Sequence, residues 1–432
     1  MDILSDLSRR ASQAEVADVR IESTKIGFEA NRLKSSQVEE TAGLAVRVVK
    51  DGRLGFAASS DLAATDKLIA NALESAAYGD RVPIVFPAPQ PAPAVATYDP
   101  AIAEFPIPRL VEIGQQIVEM VLATEPEALV NVDLKRGVQR IGVRNQAGTD
   151  VSVRRSPLSI YVEASRVKGD DVLFVGDIAG ATVWEEDYLA FVRRLTQLLE
   201  QAKRSAALRS GKMPVLFAPS GALMLGLPLM EGLNGKNVYA RTSPMAGKVG
   251  EQLFDPKLTI ADDPLLDGRF GSAAYDEEGV AHRRHVLVEQ GVLRGFLYDL
   301  KTAALSGVES TGNGERSLFS APQPSPTNLI FQPGPTPLAD MIGGIKEGLL
   351  AVDALGLGQG NVISGAFSNS LSLAFKIENG EIVGRVKDVS LAGNVYELLR
   401  NVAAISRETE WVYASLSLPY VLLDGMNVVT KG

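Results

Sequence analysis

The chain has 432 residues, 46% apolar and 22% charged, the balance of an ordinary globular protein. A single core rarely grows past roughly 250 to 300 residues, so two or three domains are expected. A net charge of −9 without a long basic run argues against nucleic acid as a direct partner, and the absence of cysteine removes disulfides, thiolate zinc sites, iron–sulfur clusters and cysteine nucleophiles together.

The opening MDILSDLSRR carries acids where a signal peptide needs a basic and then an apolar segment. With no run of roughly 18 apolar residues anywhere, the expectation is a cytoplasmic protein without a membrane partner. VADVRIES and TKIGFEAN alternate as strands do, and AGLAVRVVKDGRLGFAASSD reads as a hairpin turning at Asp51-Gly52. A helix is predicted over Leu62 to Tyr78. Residues 82–108 hold eight prolines, a density that predicts an extended connector without helix or central strand. A second helix, Arg109 to Thr124, leads into further strands. Glu185 to Leu208 forms a third, with Tyr188, Phe191, Val192, Leu195 and Leu199 on one face. From Lys212 the chain turns β-rich. One longer helix is predicted over Thr336 to Leu355, with Thr336 as N-cap and Pro337 in its first turn.

These elements describe an α+β protein with a mixed α/β N-terminal half of two hairpin-plus-helix lobes. The divisions are a first lobe at 1–81, the connector at 82–108, a second lobe at 109–211, and a β-rich C-terminal domain with a few helices at 212–432.

The two histidines, His282 and His285, lie in EEGVAHRRHVLVEQGVLRGFLYDL, which reads as a hairpin about Gln290-Gly291. On a strand, an odd separation sends them to opposite faces, so they are read as structural or solvent-facing residues on an exposed edge rather than a metal pair. Other chemistries lack their pattern too. There is no Gly-x-Ser-x-Gly elbow, and the three Gly-Lys pairs lack the Ser or Thr of a phosphate loop. GLGQGNVISG follows a predicted helix rather than a strand and reads as a turn.

Four long stretches, in order along the chain, resemble the TldD/PmbA family, and more closely its PmbA (TldE) branch. They are RVVKDGRLGFAASSDL, SPMAGKVGEQLFDPKLTIADDP, YDEEGVAHRRHVLVEQGVLRGFLYDLKTAALSGVESTGNG, and ISGAFSNSLSLAFKIENGEIVGRVKDVSLAGNVYELLRNVAAIS. The resemblance implies a mixed α/β N-terminal half, a β-rich C-terminal half and a link to a cytoplasmic zinc peptidase of two related subunits, also known as a modulator of DNA gyrase. In the metal-bearing subunit, a His-Glu-x-x-x-His helix ahead of the SPMAGKVG-like stretch and a later cysteine hold the zinc. An ungapped count back from SPMAGKVG puts Gly226, Leu227, Pro228, Leu229, Met230 and Glu231 in that place. None of them is histidine, and Pro228 is expected to disturb the helix. No catalytic or metal-binding residue is therefore carried over, and this chain is expected to hold no cofactor, with zinc in its partner.

The resulting expectation is a non-catalytic subunit, inactive alone, that pairs with a metal-bearing TldD-like sister and helps hold an extended peptide. Asn234, Arg241 and Thr242, near the vacated motif, are the candidate peptide contacts. The alternatives are an independent, homodimeric peptide- or protein-binding regulator of the gyrase-modulator type, and an autonomous hydrolase.

Overall fold

Two strands far longer than the usual five or six residues organise the N-terminal half: β1 (Gln13–Glu29) and β2 (Arg32–Lys50). They run antiparallel in register from Gln13 opposite Val49 to Glu29 opposite Arg32, with one bulge beside Gly27 and Phe28. Asp51 and Gly52, at φ 52° and 72°, then turn the chain tightly into β3 (Arg53–Ser59), the mirror-image turn that matches strand twist. Helices α1 (Ile3–Leu7) and α2 (Thr65–Tyr78) cover this hairpin, and Leu68, Ile69, Ala72 and Leu73 bury against Val46 and Val48. The approach requires Gly55, where a Cβ would stand 2.2 Å from the Ala72 carbonyl oxygen. The computed structural model of the protein describes residues 2–185 and 187–431.

After α3 (Pro100–Ala103) and α4 (Ile107–Thr124) come β4 (Leu129–Asn145), β5 (Asp150–Arg155), β6 (Leu158–Lys168), β7 (Asp171–Ala181) and α5 (Ala190–Gln201). The sheet order is β3-β2-β1-β4-β6-β7, with β5 on β4. The two lobes expected at 1–81 and 109–211 thus share one sheet, because β1 pairs with β4 from Glu15–Asn145 to Phe28–Val132. The connector is also built in. Val82, Ile84 and Phe86 are buried, and its prolines do not exclude helix. Pro100 opens α3, where a missing N–H costs nothing, and the Asp99 carboxylate accepts from Ala101 N at 2.8 Å. Helix α5 is shorter than the expected 185–208, and Glu186 lies outside the described residues.

The second sheet begins with β8 (Gly211–Phe217) and gathers the remaining long strands. Residues 416–430 pair with 389–394, which pair with 366–378, then 347–354, then β8. Strand 416–430 also pairs directly with β8, so these five close on themselves. Among the described residues, no helix is long and apolar enough to cross a membrane. One apolar core joins the halves, running from Val132, Ile160 and Val162 through Ile113, Ile117 and Leu195 to Leu350 and Phe375.

The helix expected over Thr336 to Leu355 is a correction. Only Leu338–Gly343 is helical, after Pro337, and Glu347–Ala354 is a strand lying parallel to β8. Gly343-Gly344 ends the helix, and Gly348 to Val352 are buried throughout, so the apolar run satisfies a sheet covered on both sides.

A buried ion set ties the sheets together. Arg47 on β2 clasps Glu15, its cross-strand partner on β1, with Nε to Oε1 at 2.9 Å. Its Nη1 donates to Glu278 of the C-terminal half, and Arg316 Nη2 reaches Glu15 Oε1 at 2.7 Å. All four are buried. Burial pushes both carboxylates upward, but Glu15 takes two guanidinium groups and ends below its ordinary value. Among the described residues Glu278 pairs with the Arg47 cation alone, and it faces Asp299 and Glu15, so burial leaves it raised. Removing one partner of such a set strands the others without water. Arg47→Ala is expected to lose about 3–5 kcal/mol of folding stability, read by denaturant unfolding.

Candidate functional site

Helix α6 (Leu223–Leu233) occupies the segment where the sequence resemblance puts the zinc motif. Its composition, LMLGLPLMEGL, lets it bury nearly all round, and Leu223, Leu225, Leu229 and Leu233 join the core with Phe217, Leu349 and Leu391. Pro228 does not interrupt it. The expected disturbance is absent because tertiary packing offsets the one missing backbone bond.

Leu227 and Pro228, with Met224, form one wall of a cavity of about 510 Å³. A loop with left-handed Gly356, Gly358 and Gly360 and the start of strand Ala366–Glu378 form the rest. Ala366 to Ser370 pair on one side with Asn394 to Ser390. On the other side the last main-chain bond is Leu355 N to Ser370 O at 2.8 Å, while Asn369 Nδ2 donates to Leu355 O. Backbone polar groups alternate sides along a strand, so those of Ser368 and Ala366 point the same way as Ser370, toward the cavity. An open strand edge therefore faces an apolar helix. The Tyr396 hydroxyl braces this arrangement, lying 2.9 Å from Pro228 O and 3.1 Å from Ile363 O. Burial, and then the Glu231 charge, push that hydroxyl's pKa upward, so it remains a donor.

Within the vacated motif, Gly226 and Leu229 are buried, Met230 is half-buried, and Glu231 accepts from Asn237 Nδ2 at 2.9 Å. This donor set does not fit zinc. It offers one carboxylate, engaged with an amide, and neither imidazole nor thiolate. The three candidate peptide contacts lie away from the cavity wall. Asn234 caps α7 (Gly235–Tyr239) through Lys236 N at 2.9 Å and donates to Pro324 O. Thr242 donates to Asn237 O, and exposed Arg241 lines a separate cavity with Tyr239 and Arg294. The open edge and Tyr396 escaped the sequence reading, although the alternation in AFSNSLSL is the signal that marks the strand.

The histidines are not on an exposed edge. His282 precedes the strand His285–Glu289 and is buried, its Nδ1 without a partner among the described residues. His285 is half-buried, with Nε2 2.7 Å from Thr311 O, and its strand is paired on both sides by 260–262 and 292–293. Burial, then the Arg155 charge, push His282 down to about 3.

The fold and this cavity define a class: two-sheet α+β chains in which an apolar helix lies against a closed β-rich half. Residues 210–430 match the PmbA/TldA metallopeptidase C-terminal domain, and residues 14–76 match domain 1 of the same proteins. The chain belongs to the PmbA/TldD metallopeptidase family. It is 36% identical over 211 residues to a protein of Haemophilus influenzae named a metalloprotease TldD homolog, covering 48% of this chain and 43% of that one. It is 27% identical over 401 residues to an uncharacterized protein of Methanocaldococcus jannaschii, covering 91% of both. Two crystal structures share the fold, each at a TM-score of 0.88 and covering 99% of this chain. They are TldE of Thermococcus kodakarensis, 24% identical and covered over 99% of its length, and a Thermotoga maritima protein named for a proposed role in modulating a DNA gyrase, 23% identical and covered over 98%.

Tyr396→Phe is expected to cost roughly 1 kcal/mol in chemical denaturation and to speed amide exchange around α6 and 362–364. His282 gives a pH dependence. Between pH 6.5 and about 3 the unfolded chain binds a proton that the fold excludes. Its contribution is therefore complete above 6.5 and declines as pH falls toward 3. Unfolding titrations of His282→Gln should lose less stability than the parent over that window.

Proposed function

We propose that this chain is the metal-lacking subunit of a cytoplasmic PmbA/TldD-type peptidase assembly. It pairs with a zinc-bearing sister chain as a heterodimer and helps hold the extended peptide that the sister cuts. The observation that carries this reading is the α6 cavity. Leu227 stands where the resemblance puts the catalytic glutamate, with Pro228 next to it in the cavity wall, and a strand edge opens beside them. A peptide entering as an added strand would bond to the Ser368 main chain and the Ala366 carbonyl, the Ala366 N–H being held by Ser364 Oγ, a grip tolerant of sequence because it uses backbone groups. Alternate side chains would then face Leu227 and Phe367, which favours unfolded or extended substrates over folded ones.

The chain itself contributes binding, orientation and exclusion of water. It has no cysteine, and both histidines follow Ala281 in the sequence. Hydrolysis belongs to the sister in this reading.

The test is recovery of the tagged chain from its own host, followed by peptide-cleavage assays on the chain alone and with any relative bearing His-Glu-x-x-x-His. The expected result is such a partner, with cleavage by the pair only. Cleavage by the purified chain alone overturns the reading in favour of an autonomous hydrolase. Recovery without any zinc-bearing relative overturns it in favour of an independent regulator. Within the pair, Ser368→Pro removes one cavity-facing N–H and should weaken peptide binding by about tenfold, measured by fluorescence anisotropy, with unchanged circular dichroism.

A further inference from the structure

The seam between the two sheets holds another cavity, of about 200 Å³, which shares no lining residue with the one beside α6. Strands β6 and β7 and the start of α5 line it from the N-terminal half, and Thr409, Glu410 and Trp411 from the other. Leu158, Ile160 and Phe191 form its buried part. Trp184 and Trp411, the two tryptophans of the chain, both line it, one from each half. An apolar cavity of about 150 Å³ takes a benzene ring, and drug-sized ligands need about 300 Å³ or more. The space therefore suits one aromatic ring with a short polar head.

Most of the lining groups are already committed. Trp184 packs 5.0 Å from Phe105 and 4.8 Å from Tyr188, ring centre to ring centre, and its main-chain N donates to Asp99 Oδ2 at 2.8 Å. Trp411 carries the Arg269 guanidinium over its ring at 4.9 Å, and Arg269 is paired with Glu185 at 3.1 Å. Arg194 is different. Its Nε stands 3.5 Å from Glu410 Oε2 and its Nη2 3.5 Å from Asp177 Oδ2, both longer than the roughly 2.7–3.2 Å of a hydrogen bond. That Nε is buried and has no hydrogen-bond partner among the described residues. Glu410 Oε1 accepts from the Tyr420 hydroxyl at 3.2 Å, leaving Oε2 with the loose arginine contact.

We infer that this cavity binds a free aromatic α-amino acid. The ring lies among Trp184, Tyr188 and Trp411, where tilted and edge-on ring packing is favourable. The head group carries opposite charges on one carbon and completes the loose Arg194–Glu410 pair. Its carboxylate accepts from Arg194 Nε, and its ammonium donates to Glu410 Oε2. Both are charge-assisted bonds, and the first satisfies a buried donor that is otherwise left unpaired. The site does not depend on the α6 cavity, so it is tested on this chain whether or not a sister subunit accompanies it.

Because both tryptophans line the site, their emission reports its occupancy. Titration of the purified full chain with L-phenylalanine, excited where the ligand does not absorb, is expected to give a saturable change at millimolar concentration or below. N-acetyl-L-phenylalanine lacks the ammonium, L-phenylalaninamide the carboxylate and L-leucine the ring. Each should bind more weakly than L-phenylalanine by about tenfold or more. Arg194→Gln should weaken L-phenylalanine by about tenfold with unchanged circular dichroism. The analogue series uses the parent chain alone, so it decides the matter even if Arg194→Gln fails to fold. No saturable change in the parent overturns the inference. So does equal binding of the acetylated form, which marks a site for a peptide C-terminus, or equal binding of the amide or of leucine. Binding that a folded Arg194→Gln leaves unaltered overturns it as well.

Discussion

The Glu15–Arg47–Glu278–Arg316 set is the constraint from which the rest of the architecture follows. Glu15 and Arg47 are neighbours across β1 and β2, so the N-terminal sheet by itself assembles half of it. The other half arrives from the C-terminal chain. Asp276 shapes the turn that carries Glu278 by accepting from Glu278 N, Val280 N and Gly314 N. Glu278 in turn accepts from Leu300 N at 2.7 Å, fixing the start of helix Leu300–Ser306. Taking these charges out of water is expensive, and the expense is offset only when every member is in place. A docking of the two sheets displaced by a few ångströms would strand a buried guanidinium or carboxylate. The set therefore acts on the choice of arrangement more than on net stability.

Around that anchor the apolar core is continuous. Helices α4 and α5, strands β4 and β6, and Leu350, Leu373 and Phe375 of the C-terminal half contribute to one buried apolar cluster, so the two sheets share one core. The second core holds α6 against the closed strands. This gives a rigid frame for the cavity. Leu227 and Pro228 are set by packing and Tyr396 by two carbonyl oxygens, while the strand edge at Ser368 stays open toward the cavity and the Ala366 N–H is held by Ser364 Oγ. In the function proposed above, an apolar helix takes the place of the family's motif helix, and the cavity beside it serves as the peptide site.

Local signals in the sequence were reliable where the chemistry is local. Asp51-Gly52 and Gln290-Gly291 both turn with positive φ, as their hairpin patterns require. The helices at α2 and α4 follow their apolar spacing. The segment after Thr336 misled because a sheet strand buried on both faces and a buried helix share the same apolar run. The prolines misled because a helix N-terminus accepts them. His282 looked exposed beside its arginines, yet neighbouring strands and loops distant in sequence bury it. The open edge at 366–370 was invisible for a related reason. Whether a strand has one neighbour or two depends on chain far away.

What the sequence determined by itself is the chemistry withheld and the lineage. The chain has no cysteine and no histidine before His282, so it lacks the residues that the resemblance gives the zinc site, and its long ordered stretches carry the family resemblance. Tertiary structure alone decided that β1 and β4 fuse two lobes into one sheet, that α6 survives Pro228, and that a strand edge remains open beside it. Composition and ligand identity are properties of residues one at a time. Pairing, burial and exposure are properties of residues brought together across hundreds of positions, and no local period or turn encodes them.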